Sequence, residues 1–212
     1  MNIAVLASGS GTNLQALIDS AARGELGPAR LAVVGVNVAD CPALGRAQAA
    51  NLPTFVVDHR RFAARDDFDR ALVAALDLHR VDLVVLAGFM RLLGPAFLDR
   101  FGGRVINIHP ALLPAFPGVH AQRQAAAYGV KLSGCTVHFV EAGVDSGPVI
   151  AQAAVPVRDD DDEESLSARI LVEEHRLLPS VVRALAEGRV TSDGRRVRIT
   201  GSWPMGESLR SM

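Results

Sequence analysis

Apolar residues in this chain fall into short continuous runs separated by stretches with helical spacing, and the two patterns alternate. Ile3 to Ala7 reads as a strand buried on both faces, closed by the turn residues Ser8-Gly9-Ser10-Gly11. Leu14, Leu17, Ile18 and Ala21 then recur about a turn apart, which predicts a helix ending near Gly24. The same alternation continues with a strand at Leu31 to Val36, a short helix at Pro42 to Ala50 and a strand at Thr54 to Val57. Asp66 to His79 carries Phe68, Leu72, Val73 and Leu76 on one helical stripe and leads into a strand at Leu83 to Ala87. A short helix is expected over Gly94 to Arg100. Val105 to His109 is a β-branched strand that Pro110 stops, because proline cannot donate to a ladder and restricts the residue before it.

Pro110 to Gly118, with three prolines and a glycine, predicts a rigid loop, and His120 to Tyr128 a helix. Cys135 to Val140 and Val149 to Val157 read as strands joined by a long loop. The last strong helix follows the acidic run Asp159 to Glu164, with Leu166, Ile170, Leu177, Val181 and Leu185 on one stripe. Its acids complement the positive end of the helix, and they lack the alternating spacing and glycine of a calcium loop. Pro179 is expected to kink or divide it. Val190 to Thr200 suggests a small edge hairpin around Asp193-Gly194, and the end from Trp203 a loose tail.

Repeated strand–helix units without a linker or internal repeat predict an α/β fold. The expectation is one domain over residues 1–212, built on a doubly wound, mostly parallel sheet with a C-terminal helix and a small edge hairpin. Ligands in such sheets bind beyond the carboxyl ends of the strands, so the first glycine loop, the end of the Val105 strand and the loop after Val140 could meet.

Composition narrows the function classes. Apolar residues make up 49% and charged residues 21%, with a formal net charge of -1, so no basic surface for nucleic acid or an anionic membrane is expected. The first residues lack a basic signal-peptide start, and no apolar stretch approaches the roughly 18 residues of a membrane span. A cytoplasmic location is expected. Cys41 and Cys135 stand far apart without a C-x-x-C pairing, which argues against a disulfide framework or a zinc site.

The chemistry concentrates in a few places. A period of two puts Asn107 and His109 on one face of their strand and Ile106 and Ile108 on the other. An amide donor and an imidazole at a strand's carboxyl end form a reaction site, or a buried pair satisfied by loop backbone. Asp145, between Gly143 and Gly147, either makes a local Asx turn or faces His109, keeps it protonated and relays a proton. Asn107, His109 and Asp145 would then supply an oxyanion donor, an acid and a base with no strong nucleophile, which suits direct attack by a substrate amine on an activated carbonyl. Ser8 to Asn13, between strand and helix, reads as an anion cradle or as a plain glycine turn. It is neither a Walker loop nor G-x-G-x-x-G, since Leu14 takes the third glycine position, and this favours a monophosphate over NAD. Glu174 falls on the apolar stripe of the last helix and needs a partner there, Arg169 or a polar substrate group. Arg65 and Met90-Arg91-Leu92-Leu93 are uninformative alone. His120, His138 and His175 fit no metal pattern, so no metal is assigned.

Taken together, Val5 to Gln15, Leu86 to Leu93, Asn107-Ile-His-Pro-Ala-Leu-Leu-Pro114 with Phe116-Pro-Gly118, and Val144-Asp-Ser-Gly-Pro-Val-Ile150 resemble, in order, the phosphoribosylglycinamide formyltransferase family. The resemblance runs from about Met1 to Gly188. It implies a Rossmann-like formyltransferase fold with a phosphate-binding half (1–100), a catalytic and folate-binding half (101–188) and a C-terminal extension (189–212). It further implies transfer of a formyl group from 10-formyltetrahydrofolate to the amine of 5'-phosphoribosylglycinamide, in purine synthesis. The co-substrates are small molecules, with no metal, nucleic acid or membrane partner, and the chain would act as a monomer or homodimer.

By the same resemblance, Gly11, Thr12 and Asn13 hold the ribonucleotide phosphate, Glu174 contacts that substrate, Asn107 and His109 are the catalytic pair that stabilises the oxyanion, and Asp145 is their acidic partner, assisting proton transfer. Arg65, Met90, Arg91, Leu92, Leu93, Asn107, Glu141, Ala142, Gly143, Val144 and Asp145 match folate-contacting positions, with the pterin behind Met90 to Leu93 and Arg65 near the glutamyl tail. Ala115 and Leu171 depart from the pattern, standing where many or some relatives carry a polar residue. The rival readings are a formyltetrahydrofolate hydrolase, whose relatives usually carry an extra domain, and a non-catalytic nucleotide-binding protein.

Overall fold

A computed structural model describes residues 1–201, and the expectation for the tail from Trp203 lies outside the described residues. Strand and helix alternate from the start: β1 (Asn2–Ala7), α1 (Thr12–Ala22), β2 (Arg30–Val36), α2 (Pro42–Ala49), β3 (Thr54–Val56), α3 (Arg65–Asp77), β4 (Leu83–Leu86), α4 (Pro95–Phe101) and β5 (Val105–His109). Then follow α5 (Ala121–Tyr128), β6 (Leu132–Phe139), β7 (Val149–Pro156), the long α6 (Glu163–Ala186) and the hairpin β8 (Val190–Asp193) with β9 (Arg196–Ile199).

The seven strands of the main sheet lie in the order β3-β2-β1-β4-β5-β6-β7. β1 to β5 pair in parallel, whereas β6 runs antiparallel to both β5 and β7. The apolar runs are continuous because both sheet faces are covered. Ile3, Val5 and Ala7 pack with α1, α2 and α6, while Ala4 and Leu6 pack with α3 and α4 around Phe97 and Phe101. Burying such side chains contributes about 1.5–3 kcal/mol each.

Two expectations change. Of the kink or division expected at Pro179, division does not occur, and α6 runs as one helix from Glu163 to Ala186. Proline removes one backbone bond and strains a helix interior by about 3 kcal/mol or more, but Leu177, Leu178, Val181 and Val182 are fully buried around it and hold the helix on the sheet. β6 begins at Leu132 rather than Cys135, because Ser133 and Gly134 interrupt the apolar pattern yet pair with Val155 and Ala154. A Cβ on Gly134 would overlap the Ala153 carbonyl, so only glycine lets the two strands approach there.

The acidic run starts α6 with a capping box in which Asp162 Oδ1 accepts from Ser165 N–H at 2.8 Å. Arg169 pairs with Asp161 through two hydrogen bonds of 2.6 and 2.8 Å. No helix among the described residues is long and apolar enough to cross a membrane.

Candidate active site

The site forms where β5 ends. Ile106 and Ile108 are buried on the α6 side of the sheet, and Asn107 and His109 project from the other. β5 meets β6 with Asn107 opposite His138 and His109 opposite Thr136. A register shift at Val137/His138 bends β6 just there, as bulges beside functional sites do.

Four side chains and one loop then interlock. Asp145, whose backbone is left-handed (φ 46), turns its carboxylate inward. Its Oδ2 accepts from Gly118 N–H at 2.7 Å and lies 3.3 Å from His109 Nδ1. Its Oδ1 accepts a long 3.4 Å bond from Asn107 Nδ2 and lies 3.6 Å from His138 Nε2. His109 Nε2 donates to the Phe116 carbonyl at 2.8 Å. His138 Nδ1 donates to the Phe139 carbonyl at 2.8 Å, and its Nε2 lies 3.2 Å from Asn107 Nδ2.

The loop 110–118 is therefore a template, giving Phe116 C=O to the imidazole and Gly118 N–H to the carboxylate. Phe116 holds a left-handed backbone (φ 52) to present that carbonyl. The loop is fastened from beneath by Thr136 Oγ1, which accepts from Leu113 N–H at 3.1 Å and donates to the Ala111 carbonyl at 2.6 Å. Gln152 Nε2 adds a bond to the Leu113 carbonyl at 2.9 Å.

Burial opposes charge on both His109 and Asp145. Desolvation pushes the imidazole below the usual histidine value, against the pull of the Phe116 carbonyl and the Asp145 charge. The Asp145 charge favours the protonated imidazole, and burial outweighs it. For Asp145, burial would raise the carboxyl, but His138, Gly118 N–H and the His109 charge together hold it below the ordinary range. In an NMR titration, His109 should have its midpoint below 6.5, and Asp145→Asn should move it lower still by removing a stabilising charge. A midpoint above 6.5, or an upward move in the variant, would contradict this balance.

Two strands along the sheet from β5, β1 turns through Ser8 to Gly11 into α1. Gly11 has φ 69, and a Cβ there would sit 2.7 Å from Ala43 Cα. Gly11→Ala should therefore cost about 2–3 kcal/mol, read by denaturant unfolding, with a loss below 0.5 kcal/mol as the contrary outcome. Ser10, Gly11, Thr12 and Asn13 donate no backbone N–H bond to any group among the described residues. Four N–H groups without partners at a helix start are the donor arrangement that suits an anion.

Glu174 faces this loop, 6% exposed, and its Oε2 accepts from Asn13 Nδ2 at 2.8 Å. Arg169 is not its partner, being held by Asp161 two turns earlier. Burial pushes the Glu174 carboxyl up, with Asn13 opposing. Asn13 Oδ1 is buried without a partner. Leu171 is half-buried one turn before Glu174, and Ala115 is exposed in the template loop.

The positions that the resemblance matches to folate fall in two stretches and at Arg65. Met90, Arg91 and Leu92 are exposed after β4, whereas Leu93 is buried beneath them. Met90 N–H donates to Ser8 Oγ at 2.8 Å, linking this stretch to the glycine loop. Arg65 opens α3, and the buried Asp69 on that helix accepts from Gly94 N–H at 2.7 Å. Glu141 to Val144 are exposed in the loop between β6 and β7, and Arg195 of the C-terminal hairpin donates to the Ser146 carbonyl at 2.9 Å. No group of three or more His, Cys, Asp or Glu among the described residues could hold a metal.

The hydrogen-bonding roles of His138, Gly118, Asp69 and Arg195 do not follow from sequence spacing. The only signal for His138 was its position within an apolar strand, two residues after Thr136. The other three become visible only when loops distant in sequence come together.

A model of the formyl transferase family matches residues 1–182. A phosphoribosylglycinamide formyltransferase of Mycobacterium tuberculosis is 52% identical over 203 residues, 93% of each chain. One from Escherichia coli is 42% identical over 209 residues, 99% of this chain and 96% of that protein. The crystal structure of glycinamide ribonucleotide transformylase 1 from Symbiobacterium toebii superposes with a TM-score of 0.92 at 53% identity, covering 95% of this chain and 94% of that one.

Proposed function

This chain belongs to the formyl transferase family, and from that premise we propose that it transfers the formyl group of 10-formyltetrahydrofolate to the amine of 5'-phosphoribosylglycinamide. The observation that carries the reading is the convergence of Asn107, His109 and Asp145 on one template loop, with no nucleophilic side chain among them. Such a set cannot form a covalent formyl intermediate on Ser or Cys, but it serves direct attack.

In the proposed reaction the substrate amine adds to the formyl carbon, and the carbonyl oxygen becomes an oxyanion. Asn107 exchanges its long bond to Asp145 for this oxygen, remaining oriented by His138. His109, fixed at Nε2 by Phe116, turns Nδ1 to Asp145, so the pair can take up the proton that the amine loses. Collapse breaks the bond from the formyl carbon to the folate nitrogen, and the proton passes to that nitrogen. Gly11, Thr12 and Asn13 hold the phosphate, Glu174 contacts the same substrate, and Arg65, Met90 to Leu93, and Glu141 to Asp145 line the folate site.

Mixing the protein with 10-formyltetrahydrofolate and the ribonucleotide and following folate absorbance tests this. Turnover that requires both supports transfer. Turnover with folate alone would mean a hydrolase, and none with both would mean a binding protein.

A further inference from the structure

The glycine loop lies against α2, and that contact sets which way its peptides point. The Gly9 carbonyl accepts from Ala43 N–H at 3.1 Å, a donor free for the purpose because Ala43 is in the first turn of α2. The next carbonyl, Ser10, accepts from Arg46 Nε at 2.9 Å. In a trans peptide the C=O and the following N–H point in opposite directions. Holding these two carbonyls on the α2 side therefore turns the N–H groups of Ser10 and Gly11 away from α2. Both join the unpaired N–H groups of Thr12 and Asn13 at the start of α1.

Arg46 is itself braced. Its Nη1 donates to Gln15 Oε1 at 3.2 Å, and Gln15 Nε2 donates to Asp19 Oδ1 at 2.8 Å. The guanidinium thus spans α2, the loop and α1, beside a cavity of about 310 Å³ that Thr12 and His175 also line. No Lys or Arg side chain lies within the loop itself, and position 171 on α6 is leucine. Arg23, Asp19 and Arg46 all line this cavity, and of the two arginines it is Arg46 that bonds the glycine loop.

We propose that Arg46 is a positioning residue for the phosphate cradle: by holding the Ser10 carbonyl it aims Gly11 N–H at the ligand, and its charge adds to the positive end of α1. The proposal rests on the reading of Gly11 to Asn13 as the phosphate site. A charge-assisted hydrogen bond lost beside such a site corresponds to roughly a tenfold or larger change in binding.

The test compares the wild type with Arg46→Ala and Arg46→Lys, each checked for a cooperative thermal transition. Arg46→Ala should raise KM for the ribonucleotide about tenfold or more, while KM for 10-formyltetrahydrofolate stays within about twofold and kcat within about threefold. Arg46→Lys, which can still donate to the Ser10 carbonyl, should recover most of the loss. An unchanged ribonucleotide KM, or an equal rise in both KM values, would overturn the assignment. Titration with inorganic phosphate, followed through the backbone amide resonances of Ser10 and Gly11, gives a readout independent of turnover. These resonances should shift in the wild type, with binding about tenfold weaker in Arg46→Ala. Equal binding in the two proteins overturns the role of Arg46 even if the wild type proves not to transfer formyl groups. Absence of any phosphate response at Ser10 and Gly11 overturns the cradle and the Arg46 proposal together, and leaves the transfer assay to stand or fall by itself.

Discussion

Asp145→Asn should lower kcat by about 100- to 1000-fold with the fold intact. The amide keeps the shape of the carboxylate, and its oxygen can still accept from Gly118 N–H, so the template loop stays in place. What disappears is the negative charge 3.3 Å from His109 Nδ1 and 3.6 Å from His138 Nε2. Without it, the imidazole has no base to which it can pass a proton, and it is driven further toward its neutral form. Asp145→Ala should fail similarly in rate and also lose stability, because Gly118 N–H is then left without its acceptor, at about 1–3 kcal/mol. A kcat within tenfold of the wild type for Asp145→Asn would mean that the charge is not used.

His109→Ala should cost a comparable 100- to 1000-fold, roughly, in kcat. The imidazole is 4% exposed and bonded at Nε2 to Phe116, so its removal leaves a cavity and an unsatisfied carbonyl where the ring stood. Because His109 and Asp145 act as a unit, the double variant His109→Ala/Asp145→Asn should lose little more than either single variant. Steady-state kinetics on the four proteins measure this directly. Fully multiplied losses would show two independent roles and would break the proposed proton pair.

The alternation of strands and helices was readable because a sheet covered on both faces demands continuous apolar runs, and those runs survive in the sequence. Ile3 to Ala7 and Leu83 to Leu86 are examples, fully or almost fully buried. Asn107 and His109 were legible for the same reason: polar residues on one face of such a run are costly unless used. Asp145 was suggested by its glycine neighbours, yet its inward turn depends on Gly118, 27 positions away. His138 looked like an isolated histidine because nothing local reports an antiparallel neighbour or its register. Arg169 was a plausible partner for Glu174 by spacing, but two bonds to Asp161 hold it at the start of the helix. Nothing in the sequence around Arg46 reports its bond to the Ser10 carbonyl on a different element. Local periodicity encodes burial, whereas hydrogen-bond partners across loops are set by the fold.

The strand order also makes the sheet a ruler. β1, which launches the glycine loop, and β5, which carries Asn107 and His109, are separated by β4 alone. Two interstrand spacings come to about 10 Å. A molecule anchored by an anion at one mark and reacting through an amine at the other must span roughly that length, so an amine without a distant anionic handle, or with a much shorter reach, has nothing to pull against.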